Sequence, residues 1–270
     1  MLLRAQLKGP RECERVLCPP LPILQVPHWD LIPQLTHGFC GRRGGLSRGG
    51  FSALNLSPQV GDESRCVREN WRRLGVAVPG VRFLTMQQQH GAGVARVDES
   101  VLQPPAADAL VTRSGGLALC VLTADCVPIL LVAPERRVIA AVHAGWRGTL
   151  LGIAQRAVVE MHDHFGVQPS GVRAAVGPAI DGCCYEVERH VTDELEQRWG
   201  AMPNAVTPRG AKSRLDLRRA NAAILAAAGV APAHIARIGP CTRCTAAEYF
   251  SYRGAAGNTG RQVSFIGWRA

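Results

Sequence analysis

The stretch of residues 118–149 constrains the fold most strongly, because it combines continuous apolar runs with abrupt polar interruptions. An aliphatic and β-branched run covers 118–123 and resumes over 127–132, and a Pro-Glu-Arg-Arg turn follows at 134–137. A further apolar run covers 138–142. Short apolar runs bounded by turn signals are typical of buried strands. The stretch therefore predicts strands at the centre of a β-sheet.

Polar side chains stand where these apolar runs end. Asp125 and Cys126 interrupt the first run, and His143 closes the last one. Folds commonly place reactive side chains at such points, because the strands give them a rigid support. The structural alternative is a buried cysteine and a hydrogen-bonded core histidine. The interruption of both strands at comparable points favours a functional site.

Composition narrows the classes of function. The chain has 270 residues, of which 47% are hydrophobic, enough for a substantial core. The formal charge is +10, yet only Lys8 and Lys212 among the 31 basic residues are lysines. A nucleic-acid interface usually clusters its charge, whereas no run of basic residues here exceeds two. We therefore expect no nucleic-acid partner, only some attraction for anionic substrates.

No segment predicts export or a membrane partner. The N-terminal residues lack the apolar core of a signal peptide, and no apolar stretch approaches the length of a membrane span. Ten cysteines without an export signal argue against a disulfide framework, so a reducing cytoplasm is expected. We interpret the charged, proline-rich residues 1–22 as a poorly ordered extension and 23–270 as one catalytic domain. No feature indicates an oligomeric state.

The remaining patterns predict an α+β fold. Helices are expected from Asp62 as N-cap to Leu74, with Gly75 as the stop, and over 148–165, 188–199 and 216–228. Strands are expected at 35–39, 81–86, 92–97, 109–112, 172–176, 235–238 and 262–268. Strands outnumber helices too strongly for a simple alternating βαβ chain. The prediction is a single domain of mixed β-sheets flanked by helices.

His90, Cys126 and His143 form the strongest candidate site, because each follows an apolar strand. Two imidazoles and one thiolate suit Zn²⁺, and three protein ligands leave a fourth position open, as in catalytic zinc sites. The same thiol and imidazole also suit a metal-free cysteine nucleophile with its base. Asp125 is the natural carboxylate to orient an imidazole or to act as general base. The pattern alone leaves the two chemistries open.

Two segments are candidates for binding an anion such as phosphate. Arg147 and Gly148 stand at a predicted helix start, where backbone N–H groups and a guanidinium converge. The alternative is an arginine packed over Trp146. The glycine-rich loop 41–50, which contains Arg48, is either an active-site flap or a surface linker. It lacks the Gly-Lys-Ser/Thr ending of a P-loop.

Four further cysteines lie in loops. Cys241 and Cys244 form a single CxxC pair, which without a second such pair is weak evidence for another zinc. Cys183 and Cys184 adjoin a glycine. We interpret all four as buried loop cysteines.

Several blocks of the sequence follow the order and spacing of one protein family. These are QQQHG at 87–91, ADALVT at 107–112, LTADCVPILL at 122–131, VHAGWRG at 142–148, GPAIDGCCYEV at 177–187, CTRC at 241–244, FSYR at 250–253 and GR at 260–261. On these blocks the chain closely resembles the YfiH/laccase-domain family, formerly called multicopper polyphenol oxidases. The TADC and HAGWRG blocks are the most specific. Trp71, where the family usually has an arginine, is one of few departures.

The resemblance implies both a fold and an activity. The implied fold is similar to the catalytic domain of cytotoxic necrotizing factor deamidases, with central sheets and outer helices. Members are described as zinc-dependent purine nucleoside phosphorylases acting on adenosine, inosine, guanosine and 5′-methylthioadenosine, with accompanying adenosine deaminase activity. The family's metal ligands fall on His90, Cys126 and His143. The implied cofactor is Zn²⁺, and the implied partners are purine nucleosides and phosphate.

Within that activity, phosphate is assigned to Arg147 and Gly148, with Arg48 as a further binding residue. Asp125 is assigned to protonating or orienting the leaving base, and Cys126 and His143 complete the catalytic group. These roles follow from the resemblance together with the placement of the residues at strand and helix ends.

Three other functions remain to be weighed. A Cys/His hydrolase without metal would use Cys126 as nucleophile, editing a cell-wall precursor as proposed for some bacterial relatives. A polyphenol oxidase (laccase) needs several coppers with many histidine ligands, and the eight histidines of this chain do not assemble such a set, so copper is disfavoured. A non-catalytic zinc module is disfavoured because structural zinc has four protein ligands, and the sequence offers no convincing fourth ligand beside His90, Cys126 and His143.

Overall fold

A computed structural model describes residues 21–270. The predicted N-terminal extension, residues 1–22, falls on residues 1–20, which lie outside this part, and on Leu21 and Pro22. Leu21 packs against one of the apolar clusters of the domain.

Within residues 21–270 the chain forms five α-helices and fourteen strands. The helices are α1 (Ser64–Ala77), α2 (Trp146–Leu150), α3 (Ile153–Phe165), α4 (Arg189–Trp199) and α5 (Leu217–Ala227). The strands are β1 (Ile23–Leu24), β2 (Leu35–Cys40), β3 (Arg82–Leu84), β4 (Val94–Arg96), β5 (Ala109–Thr112), β6 (Leu117–Thr123), β7 (Val127–Ala133), β8 (Val138–Ala144), β9 (Arg173–Val176), β10 (Glu186–Glu188), β11 (Val206–Arg209), β12 (Lys212–Leu215), β13 (Ile235–Arg237) and β14 (Gln262–Trp268).

The strands form three sheets of mixed direction. A five-stranded sheet has the order β1-β2-β14-β6-β3, and a six-stranded sheet has the order β13-β9-β7-β8-β5-β4. In these two sheets β3 and β6, β4 and β5, and β9 and β13 pair in parallel, and the other pairs are antiparallel. A small antiparallel sheet has the order β10-β12-β11. The prediction of mixed sheets is confirmed.

The two larger sheets pack face to face, because their strands send apolar side chains alternately to both sides. In β6, Leu119 lies in the cluster between the sheets, whereas Cys120 joins the cluster on the outer face. In β7, Leu130 belongs to the inner cluster and Ile129 to the outer one. Each fully buried aliphatic side chain stabilises the fold by about 1.5–3 kcal/mol. Burial on both faces explains the continuous apolar runs in this part of the sequence.

Helices cover the outer faces of both sheets. Leu74 of α1 packs against Phe265 and its neighbours on the five-stranded sheet. Met161 of α3 and Ile224 of α5 lie in the cluster on the outer face of the six-stranded sheet. The result is four layers in the order helix, sheet, sheet, helix. Among the described residues, no helix has the length and apolar character needed to cross a membrane.

The predicted boundaries of the first helix are wrong. Glu63 rather than Asp62 is the N-cap, and the helix continues past Gly75. Val78 donates a backbone hydrogen bond to Leu74, and both side chains are buried in the same apolar cluster. Packing of this last turn therefore overrides the low helix propensity of glycine.

The helix predicted over 148–165 is two helices. Leu150 ends α2 and Ile153 begins α3, and between them Gly152 has φ +78°. A left-handed residue ends a helix, and glycine adopts that conformation without steric cost. A Cβ at position 152 would also lie 2.8 Å from the ring of Trp199. The apolar periodicity, which continues across the break, does not reveal it.

The sequence patterns also miss the small sheet. Val206 is the one buried residue of β11, and the rest of that strand is exposed. A strand with so little apolar alternation carries almost no periodic signal.

His37 on β2 is a buried titratable group of the fold. Its side chain is 2% exposed, and its Nε2 accepts a hydrogen bond of 3.0 Å from the backbone N–H of Val26. Burial lowers the pKa of His37 to about 4, although the charge of Asp30 acts in the opposite direction. The folded protein therefore favours neutral His37.

We predict that His37 makes the protein less stable in acid. Between about pH 6.5 and about pH 4 the unfolded chain binds a proton that the folded chain does not, so the free energy of unfolding falls as pH falls. The loss reaches about 3 kcal/mol near pH 4 and is absent above pH 6.5. Urea unfolding of His37→Gln, whose amide still accepts from Val26, should show a weaker decline over this range. Equal declines in variant and wild type would contradict the assignment.

Candidate metal centre

Three side chains that are distant in sequence meet at one edge of the six-stranded sheet. His90 lies in the loop after β3, Cys126 lies between β6 and β7, and His143 lies near the end of β8. One ligand atom of each, a ring nitrogen or the cysteine Sγ, lies within 4.8 Å of those of the other two. The structure thus brings together the three residues that the sequence singled out. We call them the His–Cys–His group.

Strand pairing explains this meeting. Pro128 on β7 is paired with His143 on β8, so Cys126, which precedes β7, lies beside the end of β8. On the other side of β8, Ala109 of β5 is paired with Val142. Because β5 and β7 both run antiparallel to β8, their first residues and the last residues of β8 share one edge of the sheet.

Asp108, the residue before β5, contacts both histidines of the group. Its carboxylate is buried, and Oδ1 lies 2.8 Å from Nδ1 of His143. Oδ1 also accepts a hydrogen bond of 3.0 Å from the backbone N–H of His90, and Oδ2 accepts one of 2.7 Å from Gly91. Since Nδ1 of His143 is engaged, Nε2 is the nitrogen left to bind a metal. Asp108 therefore orients one ring and holds the loop that carries the other.

The charges in the group favour a thiolate at Cys126. Burial raises the pKa of this thiol, but the neighbouring His143 and His90 rings outweigh burial and lower the pKa below its usual range. Burial lowers the pKa of His143, whereas the charge of Cys126 and the hydrogen bond with Asp108 raise it above its usual range. Thiolate and carboxylate thus create a negative potential at the ring of His143, which stabilises a cation there.

Gly145 gives the group its space. A Cβ at this position would lie 3.2 Å from Sγ of Cys126 and 3.2 Å from Cδ2 of His90. The rings of His90 and His143 meet edge to face, with centroids 4.8 Å apart. His143 is buried and His90 is exposed, so solvent reaches the group from the His90 side.

The donor set fits Zn²⁺. Two imidazole nitrogens and one thiolate are ligands that zinc prefers, and catalytic sites combine three protein ligands with an open position. Among residues 21–270, no fourth histidine, cysteine or carboxylate joins the His–Cys–His group within mutual reach. The carboxylate that holds Nδ1 of His143 is the outer partner that metal-bound histidines commonly have.

Asp125 forms no hydrogen bond or ion pair with His90 or His143. Its Oδ1 accepts a hydrogen bond of 2.7 Å from the hydroxyl of Thr242, and its Oδ2 accepts one of 2.7 Å from the backbone N–H of Arg253. Asp108, and not Asp125, therefore occupies the position that orients an imidazole, which corrects the first role expected from the sequence. Asp125, which directly precedes Cys126, instead holds Thr242 and Arg253, two residues of loops distant in sequence.

Arg147 is exposed, and its guanidinium lies 5.0 Å from the centroid of the Trp146 ring. The packing that the sequence left as the alternative is thus present. Gly148 is buried, and a Cβ there would lie 3.0 Å from the carbonyl oxygen of Gly91. The start of α2 therefore packs directly on the loop that carries His90. A phosphate-binding role for Arg147 and Gly148 stays a prediction.

Arg48 lies in a separate cleft between the glycine-rich loop and α1. Three carboxylates also line this cleft, those of Asp62, Glu63 and Glu69. None of the three His–Cys–His side chains lines it. The structure does not place Arg48 in one cleft with the group, and its phosphate-binding role stays a prediction.

Several residues near the group were not singled out in the sequence. Asp108 is one, and Tyr185 is another, since burial and the charge of Cys126 raise its pKa to about 12. The guanidinium of Arg253 lies 5.1 Å from the centroid of the Tyr185 ring. Arg261 is a further residue near the group. Burial lowers the pKa of its guanidinium, and the negative charge of Cys126 offsets part of this effect. All four lie in the blocks that carry the family resemblance, but no spacing rule identifies them individually.

The interpretation of four loop cysteines as buried is wrong for Cys183 and Cys244, which are exposed. Cys184 is partly buried and Cys241 is buried. The Sγ atoms of all four lie within 4.8 Å of one another. The two loops that carry them meet near the surface, and their spacing in the sequence does not predict this contact.

Comparison with known families agrees with this architecture. Residues 36–269 match the family described as multi-copper polyphenol oxidoreductase laccase. The chain belongs to this family, the YfiH/laccase-domain family that its sequence blocks resemble.

Similar proteins of known name point to nucleoside chemistry. Purine nucleoside phosphorylase YlmD of Geobacillus stearothermophilus is 39% identical over 246 residues, which cover 86% of this chain and 89% of YlmD. A purine nucleoside phosphorylase of Deinococcus radiodurans is 40% identical over 254 residues, covering 92% and 94% of the two chains. Adenosine deaminase RL5, from an unknown prokaryotic organism, is 39% identical over 234 residues, covering 81% and 88%.

Solved structures confirm the fold. The hypothetical protein YfiH of Bacillus licheniformis superposes with a TM-score of 0.86 at 31% identity, covering 93% of this chain and 97% of YfiH. YlmD of Geobacillus stearothermophilus superposes with a TM-score of 0.82 at 36% identity, covering 88% and 93%.

We predict that Asp108→Asn weakens zinc binding by about 10- to 100-fold, because an amide cannot orient His143 through a charge-assisted hydrogen bond. Competition with a chromogenic chelator measures the affinity. Asp163→Asn, which changes an exposed aspartate on α3, is the matched control. Unchanged zinc affinity in Asp108→Asn, with the fold intact by circular dichroism, would show that the His143 ring needs no such support.

Proposed function

We propose that this protein is a zinc-dependent purine nucleoside phosphorylase whose catalytic domain is residues 23–270. It cleaves adenosine, inosine, guanosine and 5′-methylthioadenosine with phosphate, releasing the free base and the sugar 1-phosphate. The observation that carries the proposal is the His–Cys–His group with its orienting carboxylate, in a chain similar to proteins named purine nucleoside phosphorylase. We place the reaction in the reducing cytoplasm, because the eight cysteines among the described residues are free thiols.

Phosphorolysis forms a bond between a phosphate oxygen and C1′ of the sugar while the bond from C1′ to the purine nitrogen breaks. The bonding electrons leave with the purine, so negative charge on the anion and on the leaving base must be stabilised. Bound Zn²⁺ supplies a Lewis acid for this purpose. His90, Cys126 and His143 would hold the ion, and Asp108 would keep the proton of His143 on Nδ1.

Asp125 is assigned to orienting the leaving base. Each of its carboxylate oxygens accepts one hydrogen bond, from Thr242 and from Arg253, and retains a further lone pair. The carboxylate can therefore accept a hydrogen bond from an N–H of the purine without losing its own support. Because Asp125 directly precedes Cys126, this contact would lie next to the candidate metal.

Arg147 and the backbone near Gly148 are assigned to phosphate. The guanidinium packs over Trp146, and in the described part of the chain it forms no salt bridge, so its donors remain available to an anion. Gly148 packs on the loop of His90, which brings this cationic segment next to the His–Cys–His group.

Adenosine deamination is proposed as an accompanying activity, because a protein named adenosine deaminase is 39% identical to this chain. It needs a water activated by a Lewis acid and a carboxylate that shuttles a proton. The same metal and Asp125 supply both requirements if adenosine also binds with its base, rather than its sugar, towards the group.

The family description names a multicopper oxidase as well. Such enzymes need several coppers with many histidine ligands. Among residues 21–270, the side-chain groups able to hold a metal contain two histidines in total, His90 and His143. The donor set of the His–Cys–His group therefore supports one zinc ion at that site in preference to a copper cluster.

Product analysis tests the proposal. With inosine and phosphate the protein should form hypoxanthine and ribose 1-phosphate in equal amounts, and omission of phosphate should abolish both. With adenosine it should form adenine and, in addition, inosine. We predict that His143→Ala loses at least about 100-fold in rate, because it removes a metal ligand.

His164→Ala, which changes an exposed histidine on α3, is the matched control and should keep the wild-type rate. Absence of ribose 1-phosphate, or equal loss in both variants, would overturn the assignment. Release of base without phosphate would instead indicate a hydrolase.

A further inference from the structure

The four clustered cysteines lie in two loops that differ in sequence position but meet in space. Cys183 and Cys184 belong to the loop between β9 and β10, and Cys241 and Cys244 belong to the segment after β13. An isolated parallel bridge joins Ala179 to Cys241 and aligns the two loops. We call these four residues the four-cysteine cluster.

The sulfur atoms have the spacing of a tetrahedral thiolate site. Sγ of Cys244 lies 3.6 Å from Sγ of Cys183 and 3.4 Å from Sγ of Cys184. A tetrahedron of sulfurs with Zn–S bonds of about 2.3 Å has edges of about 3.8 Å. A disulfide bond, at about 2.05 Å, is far shorter. All four sulfurs lie within 4.8 Å of one another, so the cluster approaches the spacing that a tetrahedral metal site requires.

Backbone N–H groups point at the first sulfur of the CxxC turn. The backbone N–H group of Asp181 donates to Sγ of Cys241, and those of Arg243 and Cys244 also face this sulfur. The bond from Asp181 is 3.4 Å long. Donation from the backbone to sulfur stabilises a thiolate.

The loops are held in place independently of the sulfurs. Arg218, which is buried, donates to the carboxylate of Asp181 at 3.1 Å and to the carbonyl oxygen of Ile238 at 3.1 Å. Arg243 donates to the carbonyl oxygen of Cys184 at 3.2 Å, which places a positive charge beside the cluster. The two loops are thus ordered, and the positive charge of Arg243 offsets part of the negative charge that four thiolates would carry.

We propose that the four-cysteine cluster binds a second zinc ion in a closed tetrathiolate site. Binding displaces the thiol protons to solvent and forms four Zn–S bonds, with no change in oxidation state. With all four positions filled by protein, the site leaves no place for substrate and has a structural role. This inference does not depend on the reaction proposed above.

The cluster is connected to the His–Cys–His group. Thr242, which lies between Cys241 and Cys244, donates its hydroxyl to Asp125, the neighbour of Cys126. A zinc ion at the four-cysteine cluster therefore fixes the loop of Thr242, which holds Asp125.

Zinc content and cobalt spectra test the proposal on the intact chain. Wild type should bind about two zinc ions, and Cys183→Ser/Cys244→Ser about one. Cys66→Ser, which changes a partly buried cysteine on α1, is the control and should match wild type. Cobalt-loaded His143→Ala should show the intense thiolate-to-metal absorption of a tetrahedral tetrathiolate. Adding Cys183→Ser should weaken that absorption.

Measurements on wild type keep the test decisive if a variant fails to fold. In zinc-loaded wild type, these four cysteines should be protected from alkylation. Mass spectrometry of peptides shows which cysteines are protected. Equal zinc content in wild type and Cys183→Ser/Cys244→Ser would overturn the proposal. A disulfide between the two loops in protein isolated under anaerobic conditions, in place of protected thiolates, would overturn it as well and would indicate a redox pair.

Discussion

The hydrogen bond between the buried carboxylate of Asp108 and Nδ1 of His143 is the interaction on which the candidate centre depends. It settles which nitrogen of His143 faces Cys126, and the same carboxylate holds the backbone of His90 and Gly91. Removing one partner of a buried charged pair costs about 3–5 kcal/mol, because the other partner is left without compensation. The sheet supplies the rest, since the antiparallel pairing around β8 brings the ends of three strands to one edge.

Hydrogen bonds to side chains, and not strand pairing, hold the loops next to the His–Cys–His group. Asp125 accepts hydrogen bonds from Thr242 and from the backbone of Arg253, and the segment with Thr242 also carries half of the four-cysteine cluster. Cys126 and His143 thus lie at strand ends, whereas His90, Thr242 and Arg253 lie in loops.

Much of this architecture was predictable from the sequence, because strands buried on both faces produce long apolar runs. The strand expected at 262–268 coincides with β14, and the approach of Cys126 to His143 follows from two antiparallel strands joined by a short turn. The role of Asp108 was not predictable, since it depends on hydrogen bonds to backbone atoms that carry no sequence signal. The break at Gly152 and the meeting of the cysteine loops likewise depend on tertiary contacts.

The most direct test asks whether metal or thiol carries the reaction. Wild type is stripped with a chelator, assayed for ribose 1-phosphate formation from inosine and phosphate, and assayed again after addition of zinc. If His90, Cys126 and His143 hold a catalytic ion, the stripped protein is inactive and zinc restores it. If Cys126 is a nucleophile with His143 as base, the stripped protein is the more active form. In that case zinc inhibits it and a thiol reagent inactivates it, which would contradict the account.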